Sequence, residues 1–230
     1  FGDYQVSKIY PPKERKVVQT YMVPENKRGD SIKWIKERIN EGGQAFWIYP
    51  AIEESELNKT KSLEEYFPQI SKTFKEFKLE VVHGKINAEK KDKIIDNFSK
   101  RKLDILAATT VVEVGIDIPG ANIIIIESAE RFGLAQLHQL RGRVGRKDQQ
   151  AWCLLYYNEA SSDVKDRLEY FAKEHDGIKI AEFDLNRRGP GEVYGTMQSG
   201  LPNLKIARFS NLEQLNQVRE AAEILFNNKL

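Results

Sequence analysis

Short apolar runs alternate along this chain with longer stretches whose apolar residues recur at helical spacing. The stretches DSIKWIKERINEGG and NAEKKDKIIDNFSK place apolar residues three and four positions apart, which is typical of amphipathic helices. The short runs predict strands: KVVQTYMV, QAFWIYP, LEVVHG, LDILAATT and ANIIIIES. Because the later runs are apolar throughout, both faces of these strands should be covered. The alternation predicts an α/β fold, a parallel sheet with helices on both faces.

Local signals predict where the early helices begin, end or break. The first helix should begin at a capping residue, Asp30 or Ser31, and stop at the glycine pair that starts with Gly42. A second helical stretch should run to about Phe77. Pro68 should interrupt it, because proline lacks the backbone donor that a helix interior needs.

Functional groups in such a sheet gather in the loops beyond the carboxyl ends of the strands. The segment TTVVEVGIDIPG follows one strand and contains Thr109, Thr110, Gly115 and Asp117. Hydroxyls and free backbone amides at a strand end can hold a phosphate, and a nearby carboxylate can accept a hydrogen bond from a ribose hydroxyl. The alternative is structural, with Thr109 capping a helix and Asp117 opening a turn. The residues alone leave both interpretations open.

Positive charge is concentrated in the segment QLHQLRGRVGR, which overlaps an apolar seam of Leu134, Leu137 and Leu140. If the backbone stays near helical, Arg143 and Arg146 emerge on one side. A guanidinium matches a phosphate with two donors, and the intervening glycines allow a close approach to a partner. Three other interpretations remain: a solvated charged face, a nonspecific nucleic-acid patch and a salt-bridged helix end.

Composition and charge narrow the class of protein without identifying a partner. The 230 residues carry a formal net charge of +2, so a nucleic-acid partner would have to be bound through local patches. The one cysteine, Cys153, cannot form an internal disulfide and fits a small apolar core position in a reducing compartment. No apolar run approaches a membrane span and the first residues lack the features of a signal peptide. The sequence therefore predicts a cytoplasmic protein with no membrane partner.

The order of these segments resembles the motif order of superfamily 2 helicases. LAATTVVEVGIDIP looks like motif V and QLHQLRGRVGR like motif VI, while YPAIEESE and HGKINAEKKDKIIDNF are similar to earlier motifs of the second RecA-like motor domain. Further on, AEFDLNRRGPGEVYGTMQSGLP resembles the TRG element, which RecG-type helicases share with transcription-repair coupling factors. Because IEESE, LAQLHQL, RGPG and QSGLP look like RecG, the chain is identified as the C-terminal part of a RecG-type ATP-dependent DNA helicase.

The resemblance implies a role for each motif residue. Arg143 and Arg146 would be arginine fingers that reach the γ-phosphate of ATP and offset charge in the transition state. Gln139, which opens the same motif, would belong to the ATP site and link the fingers to the DNA side. Gly115 and Asp117 would face the nucleotide, with Asp117 on the ribose. Contacts with the DNA backbone are implied for four residues at strand ends: Thr109, Thr110, His83 and Gly84.

The same resemblance divides the chain in two. Residues 1–160 would form the RecA-like motor domain, and residues 161–230 a helical hairpin, a loop and a C-terminal helix. In the family the second part is a lever that couples nucleotide state to a loop near the DNA. The hydrogen-bonding candidates for this coupling are Arg167, Arg188 and Gln198. Such coupling requires an element with two arrangements.

Two motifs that ATP hydrolysis needs do not occur in this sequence. There is no G-x-x-x-x-G-K-[ST] loop to cradle the phosphates and no Asp-Glu box to hold magnesium. ATP and Mg²⁺ would therefore be held mainly by a first motor domain that precedes these residues, with no metal site in this chain. The chain alone is expected not to hydrolyse ATP. Its expected partners are branched or double-stranded DNA and the N-terminal motor and wedge domains of the same protein.

Three functions are compatible with these motifs. A RecG-type protein would remodel stalled forks and Holliday junctions in repair and recombination. A transcription-repair coupling factor would use the same motor class to push RNA polymerase. A nonenzymatic RecA-like module would only bind nucleic acid or a partner protein.

Overall fold

The structure is a computed structural model that describes six stretches of the chain. These are residues 16–50, 63–84, 86–109, 121–145, 149–158 and 161–188, with the backbone alone at 63–66 and 188.

Six strands form one parallel sheet in these stretches. They are β1 (Gln19–Pro24), β2 (Ala45–Tyr49), β3 (Leu79–Val82), β4 (Ile105–Thr109), β5 (Ile123–Ile126) and β6 (Trp152–Tyr157). Their order across the sheet is β1-β6-β5-β2-β4-β3, and every neighbouring pair is parallel. The parallel sheet predicted from the apolar runs is confirmed, and β6 adds a strand that the sequence did not predict.

Helices of eight to thirteen residues connect the strands and follow the last one. They are α1 (Arg28–Asn40), α2 (Leu63–Thr73), α3 (Ala88–Ser99), α4 (Leu134–Arg141), α5 (Ser162–Lys173) and α6 (Gly177–Arg188). Two short 3-10 helices, Glu25–Lys27 and Ala129–Arg131, precede α1 and α4. As predicted, α1 ends just before Gly42. Among the described residues, no helix combines the length and the apolar character that crossing a membrane requires.

Both faces of the inner strands of the sheet are buried. On one face, strand residues that include Trp47 and Tyr49 of β2 pack with Ile35 and Ile39 of α1 and Ile70 of α2. The strand residues that point to the opposite face are buried as well: Phe46, Ile48, Leu106, Ala108, Ile124 and Ile126. Burial of apolar surface stabilises a fold by about 25 cal/mol per Å². These strands are apolar throughout because neither of their faces meets water.

Two predictions about the early helices are wrong. The first α-helix begins at Arg28, directly after a 3-10 turn, and its cap position is Lys27. Asp30 and Ser31 therefore lie inside the first turn, and the Ser31 hydroxyl donates to the Arg28 carbonyl at 2.8 Å. Pro68 lies within α2 and does not end it; the fixed φ of proline suits a helix, although the ring removes one backbone hydrogen bond and crowds the carbonyl four residues earlier.

The chain divides into two compact units, Phe1–His175 and Asp176–Leu230. Within the first unit, α5 buries Leu168 and Phe171. The second unit opens with α6. The division predicted from the sequence falls earlier, after residue 160. That boundary marks the start of the predicted helical hairpin, whereas the structural boundary is set by packing. That functional division stays a prediction.

Candidate functional site

The carboxyl edge of the sheet brings together predicted DNA contacts that lie far apart in sequence. β3 and β4 are neighbours and pair in register up to their carboxyl ends. His83 follows β3 and Thr109 ends β4, so the two residues lie on adjacent strands at the same edge. Both are half-buried, while Gly84 is exposed in the turn after β3. Three of the four candidates therefore share one edge, and Thr110 lies outside the described residues.

α4 carries the predicted motif VI away from that edge. Its eight residues, about 12 Å at 1.5 Å each, return the chain along the sheet after β5. Beyond the helix, the Gly145 N–H donates to the Ala121 carbonyl at 3.4 Å, and Ala151 and Val18 flank Gly145. These neighbours lie just before β5, β6 and β1. The end of the segment therefore lies beside the amino ends of these strands, because a crossover must return the chain to the amino end of the next parallel strand.

The residues of α4 confirm the apolar seam but not the helical continuation. The seam is buried: Leu134, Leu137 and Leu140. Gln139 is exposed on the same helix. The helix ends at Arg141, whereas Arg143 is half-buried in a turn beyond it, with its N–H bonded to the Leu140 carbonyl at 3.0 Å. Helical spacing therefore does not set the position of Arg143.

Gly145 fixes the end of this segment, and its replacement tests the arrangement. We expect Gly145→Ala to lower the free energy of unfolding by about 1–3 kcal/mol. Its φ is +77°, a region that suits glycine, and a Cβ would lie 2.8 Å from the Ala151 Cβ. The thermal unfolding midpoint measures the loss. Gly29→Ala is the control, because a Cβ there meets nothing within 4 Å and alanine favours a helix interior. An unchanged midpoint for Gly145→Ala would contradict this geometry.

Arg141, the first arginine of the segment, is a buried structural residue. Its side chain donates through Nη1 to the Phe171 carbonyl and through Nη2 to the Glu174 carbonyl, each at 2.9 Å. The guanidinium carbon lies 4.2 Å from the centre of the Phe171 ring. Burial lowers the pKa of Arg141, but an arginine keeps its charge at neutral pH. Arg141 therefore joins the end of α4 to the end of α5.

Arg167 makes hydrogen bonds to the backbone that precedes α4. From α5, its Nη1 donates to the Phe132 carbonyl at 2.9 Å and its Nη2 to the Glu130 carbonyl at 2.7 Å. Both carbonyls belong to the turn between β5 and α4. Burial raises the pKa of the Glu130 carboxyl in this turn. Arg167 and Arg141 thus attach α5 to both ends of the arginine-bearing helix.

A polar cluster that the sequence does not predict lies beside the carboxyl end of β5. The buried Glu127 carboxylate accepts hydrogen bonds from both Nη atoms of Arg28, with Nη1 at 3.1 Å, and from the Trp47 indole at 3.0 Å. The Arg28 guanidinium lies 4.5 Å from the centre of the Tyr156 ring, whose hydroxyl is 2.6 Å from the Ser31 hydroxyl. Burial raises the pKa of Tyr156 to about 12, although Ser31 and Arg28 lower it.

Cys153 occupies the core position that the sequence predicts. It lies in β6 and is fully buried. Burial raises the pKa of its thiol to about 12, against the smaller opposing effect of the Arg141 charge. Because the thiolate is the reactive form of cysteine, this thiol is inert at neutral pH.

Several predicted site residues lie outside the described residues. They are Thr110, Gly115, Asp117, Arg146 and Gln198. For Arg188, the last residue of α6, the backbone alone is described. The roles that the resemblance implies for these residues stay predictions.

Among the described residues, no group of three or more His, Cys, Asp or Glu side chains could hold a metal ion. Mg²⁺ in phosphoryl-transfer sites is bound through carboxylates and substrate phosphates. Arg143 carries a permanent charge and a planar guanidinium, the chemistry that suits a phosphate group.

The sequence analysis did not predict a role for three residues near the candidate site: Arg28, Glu127 and Arg141. A local signal exists for Arg141, which lies four residues after the buried Leu137 and hence on the same helix face. Glu127 ends the run IIIIE, and a carboxylate next to a buried strand needs a partner. No local signal identifies Arg28, which is 99 residues from Glu127.

Two family descriptions match the chain. Residues 30–148 match the family described as Helicase conserved C-terminal domain. Residues 174–229 match the family described as ATP-dependent DNA helicase RecG, domain 3, C-terminal. The first match covers more than half of the chain.

Curated relatives match nearly the whole chain. It is 46% identical over 223 residues to the ATP-dependent DNA helicase RecG of Thermotoga maritima, covering 96% of this chain and 29% of that protein. It is 42% identical over 227 residues to the protein of the same name from Synechocystis sp., covering 97% of this chain and 27% of that one. The chain therefore spans less than a third of the length of these relatives.

Solved structures match the fold. A structure of RecG bound to a three-way DNA junction is similar with a TM-score of 0.66 and 44% identity, covering 79% of this chain and 24% of that chain. Dbp5 of S. cerevisiae, bound to RNA and ADP BeF3, is similar with a TM-score of 0.50 and 14% identity, covering 75% of this chain and 44% of that chain. The second likeness concerns the fold alone. The predicted RecA-like motor fold is confirmed.

Proposed function

Because this chain belongs to the family of helicase conserved C-terminal domains, we propose that it is the second motor domain and TRG element of an ATP-driven DNA translocase of the RecG type. The full protein would remodel stalled forks and Holliday junctions in repair and recombination, in the cytoplasm. The observation that carries this proposal is the match to RecG over 96% of the chain, reinforced by the RecG-specific match over residues 174–229. Branched DNA as the substrate is supported by the similar RecG structure, which is bound to a three-way junction.

On the nucleotide side, Arg143 and Arg146 would act as arginine fingers on the γ-phosphate of ATP. A finger must be held in place before the reaction to stabilise transition-state charge. The position of Arg143 directly after a helix with a buried leucine seam supports such preorganisation. Gly115 and Asp117 would contact the nucleotide, and Gln139 would link the fingers to the DNA side.

The ATP phosphates and Mg²⁺ would be held mainly by the first motor domain. Mg²⁺ bound there would neutralise charge on the transferred phosphoryl group. Arginine fingers act across the cleft between two such domains. This chain would therefore contribute the fingers to a site whose phosphate-binding residues lie in the first motor domain.

On the DNA side, Thr109, Thr110, His83 and Gly84 would contact the sugar-phosphate backbone. The shared edge of Thr109, His83 and Gly84 at the ends of β3 and β4 supports this assignment. Contacts with the backbone carry no sequence information, so a motor that uses them can step along any DNA.

Coupling between the two sides would involve Arg167, Arg188 and Gln198. The hydrogen bonds of Arg167 to two carbonyls of the turn before α4 support its part. Through this turn, a displacement of α5 would reach the helix that precedes the fingers. The coupling itself needs two arrangements of these elements.

The test is ATP-dependent remodelling of a three-way DNA junction by the full-length protein. We expect junction DNA to stimulate ATP hydrolysis and the junction to be converted into products with changed pairing. The 230-residue chain alone should show no DNA-stimulated ATP hydrolysis, because its sequence contains no phosphate-binding loop. Turnover by the pure chain would contradict the division of labour between two motor domains.

Other outcomes would favour the alternatives. Displacement of a stalled RNA polymerase without remodelling of junctions would support a transcription-repair coupling factor. DNA binding by the full-length protein without ATP turnover would support a nonenzymatic module.

A further inference from the structure

We propose that the buried ion pair between Arg28 and Glu127 is a positioning element for ATP turnover, because it sets the direction of the segment that carries Arg143. The inference rests on the function proposed above. Neither residue belongs to a helicase-like motif of the sequence, yet the pair lies where β5 ends and the path to the arginine-bearing helix begins.

The Glu127 carboxylate is held from two sides. Both of its oxygens accept hydrogen bonds from Arg28, and Oε1 also accepts one from the Trp47 indole at 3.0 Å. The side chain of Glu127 is only 7% exposed. Burial lowers the pKa of Arg28, but the hydrogen bond and the charge of Glu127 outweigh it and raise the pKa above its usual value. The pair therefore stays charged, and its forked geometry fixes the orientation of both side chains.

The backbone changes direction next to this carboxylate. At Glu127 the backbone still continues the hydrogen bonding of the sheet, since its N–H donates to the Ile48 carbonyl at 2.9 Å. The next residue, Ser128, has φ +49° and ψ +51°, a left-handed conformation that is unfavourable for a residue other than glycine. Such conformations persist where the surroundings over-determine them. Fixing the side chain of Glu127 supplies that constraint directly before the strained residue.

A change at this turn would be transmitted to the arginine segment. α4 begins six residues beyond Ser128 and is anchored by Leu134, Leu137 and Leu140, each at most 2% exposed. A short helix packed in this way moves as a unit, and Arg143 follows its last turn. A misplacement of about 1 Å at a reacting group can reduce the rate about a hundredfold.

Stability alone does not account for the pair. Glu127 is buried and Arg28 is 27% exposed, so the cost of taking these charges out of water offsets much of their attraction, and apolar residues can often replace such a pair. Other contacts already pack this region, because Trp47 and Tyr156 belong to the core cluster on that face of the sheet. A role in orientation explains why two charges are placed here.

The experiment compares variants of the full-length protein in ATP hydrolysis stimulated by junction DNA. We expect Glu127→Gln to lower kcat about tenfold or more, while KM for ATP stays within about threefold, because the pair acts on transition-state geometry. Binding of ADP with aluminium fluoride, a transition-state mimic, should weaken by a factor similar to the loss of kcat. Binding of an unhydrolysable ATP analogue should change little.

A double variant separates positioning from folding. Arg28→Met combined with Glu127→Gln leaves no charge in the pair and keeps an oxygen acceptor for the Trp47 indole, so we expect it to unfold at a temperature close to that of the wild type while kcat stays low. Arg28→Lys keeps the charge but loses the fork, and it should lose part of kcat. The control is Lys36→Met, which breaks the Lys36–Glu76 ion pair of 2.6 Å elsewhere on α1 and should leave kcat unchanged.

The outcomes distinguish this inference from the function on which it rests. A folded double variant with wild-type kcat and wild-type affinity for the mimic would overturn the positioning role and leave the motor function standing. If Glu127→Gln does not fold, the double variant and Arg28→Lys decide the question. A wild-type protein without DNA-stimulated ATP hydrolysis would instead refute the proposed function.

Discussion

Replacing Arg146 with alanine in the full-length protein is expected to reduce ATP turnover by about a thousandfold or more while weakening DNA binding only slightly. An arginine finger stabilises charge that develops on the phosphoryl group as it transfers, so its loss raises the barrier rather than the dissociation constant for DNA. The measurements are kcat for ATP hydrolysis at saturating DNA and the dissociation constant for a three-way junction.

Two comparisons make the Arg146 result interpretable. Arg143→Ala should resemble Arg146→Ala, because both residues are proposed to act as arginine fingers. Lys36→Ala removes a positive charge from a surface ion pair on α1 and should change neither quantity. Similar losses of turnover and of DNA binding in Arg146→Ala would indicate a nucleic-acid patch, one of the alternatives that the sequence leaves open.

Replacing Arg141 with alanine is expected to destabilise the junction of α4 and α5 by about 3 kcal/mol. The substitution removes two hydrogen bonds to backbone carbonyls and the contact with the Phe171 ring. It also leaves the Phe171 and Glu174 carbonyls without these donors, in a region where Arg141 itself is 4% exposed. Amide hydrogen exchange of α4 and α5 measures the loss locally, as faster exchange in both helices.

Two further variants define the origin of the Arg141 effect. Arg141→Lys keeps the charge, but an ammonium cannot reproduce a planar fork stacked on a ring, so most of the loss should remain. Lys165→Ala alters an exposed charge on the same α5 and should leave exchange unchanged. Wild-type exchange rates in Arg141→Ala would show that the two helices are held by other contacts.

Much of the fold could be predicted because the controlling interactions are local or repetitive. The run IIII of β5 is buried at every position, which the absence of polar alternation indicates directly. The leucines of α4 at helical spacing are likewise buried. Element type follows from such periodicity, whereas the start of α1 and the end of α2 do not, because a helix end depends on which of several adjacent residues finds a partner.

The candidate site could be predicted only in part. The order of the motifs predicts roles for His83, Thr109 and Arg143, and the sheet places the first two at one edge. Side-chain partners were not predictable, since Arg141 bonds to residues 30 and 33 positions away. Three arginines of one segment look alike in the sequence, yet Arg141 is buried and Arg143 is not.

By itself, the sequence determined that this protein has a parallel α/β motor fold and a helicase-like order of motifs. Periodicity of apolar residues and the identity of motif residues are properties of the chain that need no partner. Only the tertiary structure decided that Arg141 joins α4 to α5 and that Arg28 forms an ion pair with Glu127. It also decided that the turn after α4 lies beside the amino ends of the strands. These features depend on contacts between residues far apart in sequence. Burial removes the water around a polar group, so its hydrogen-bond partners must come from whichever residues the fold places next to it.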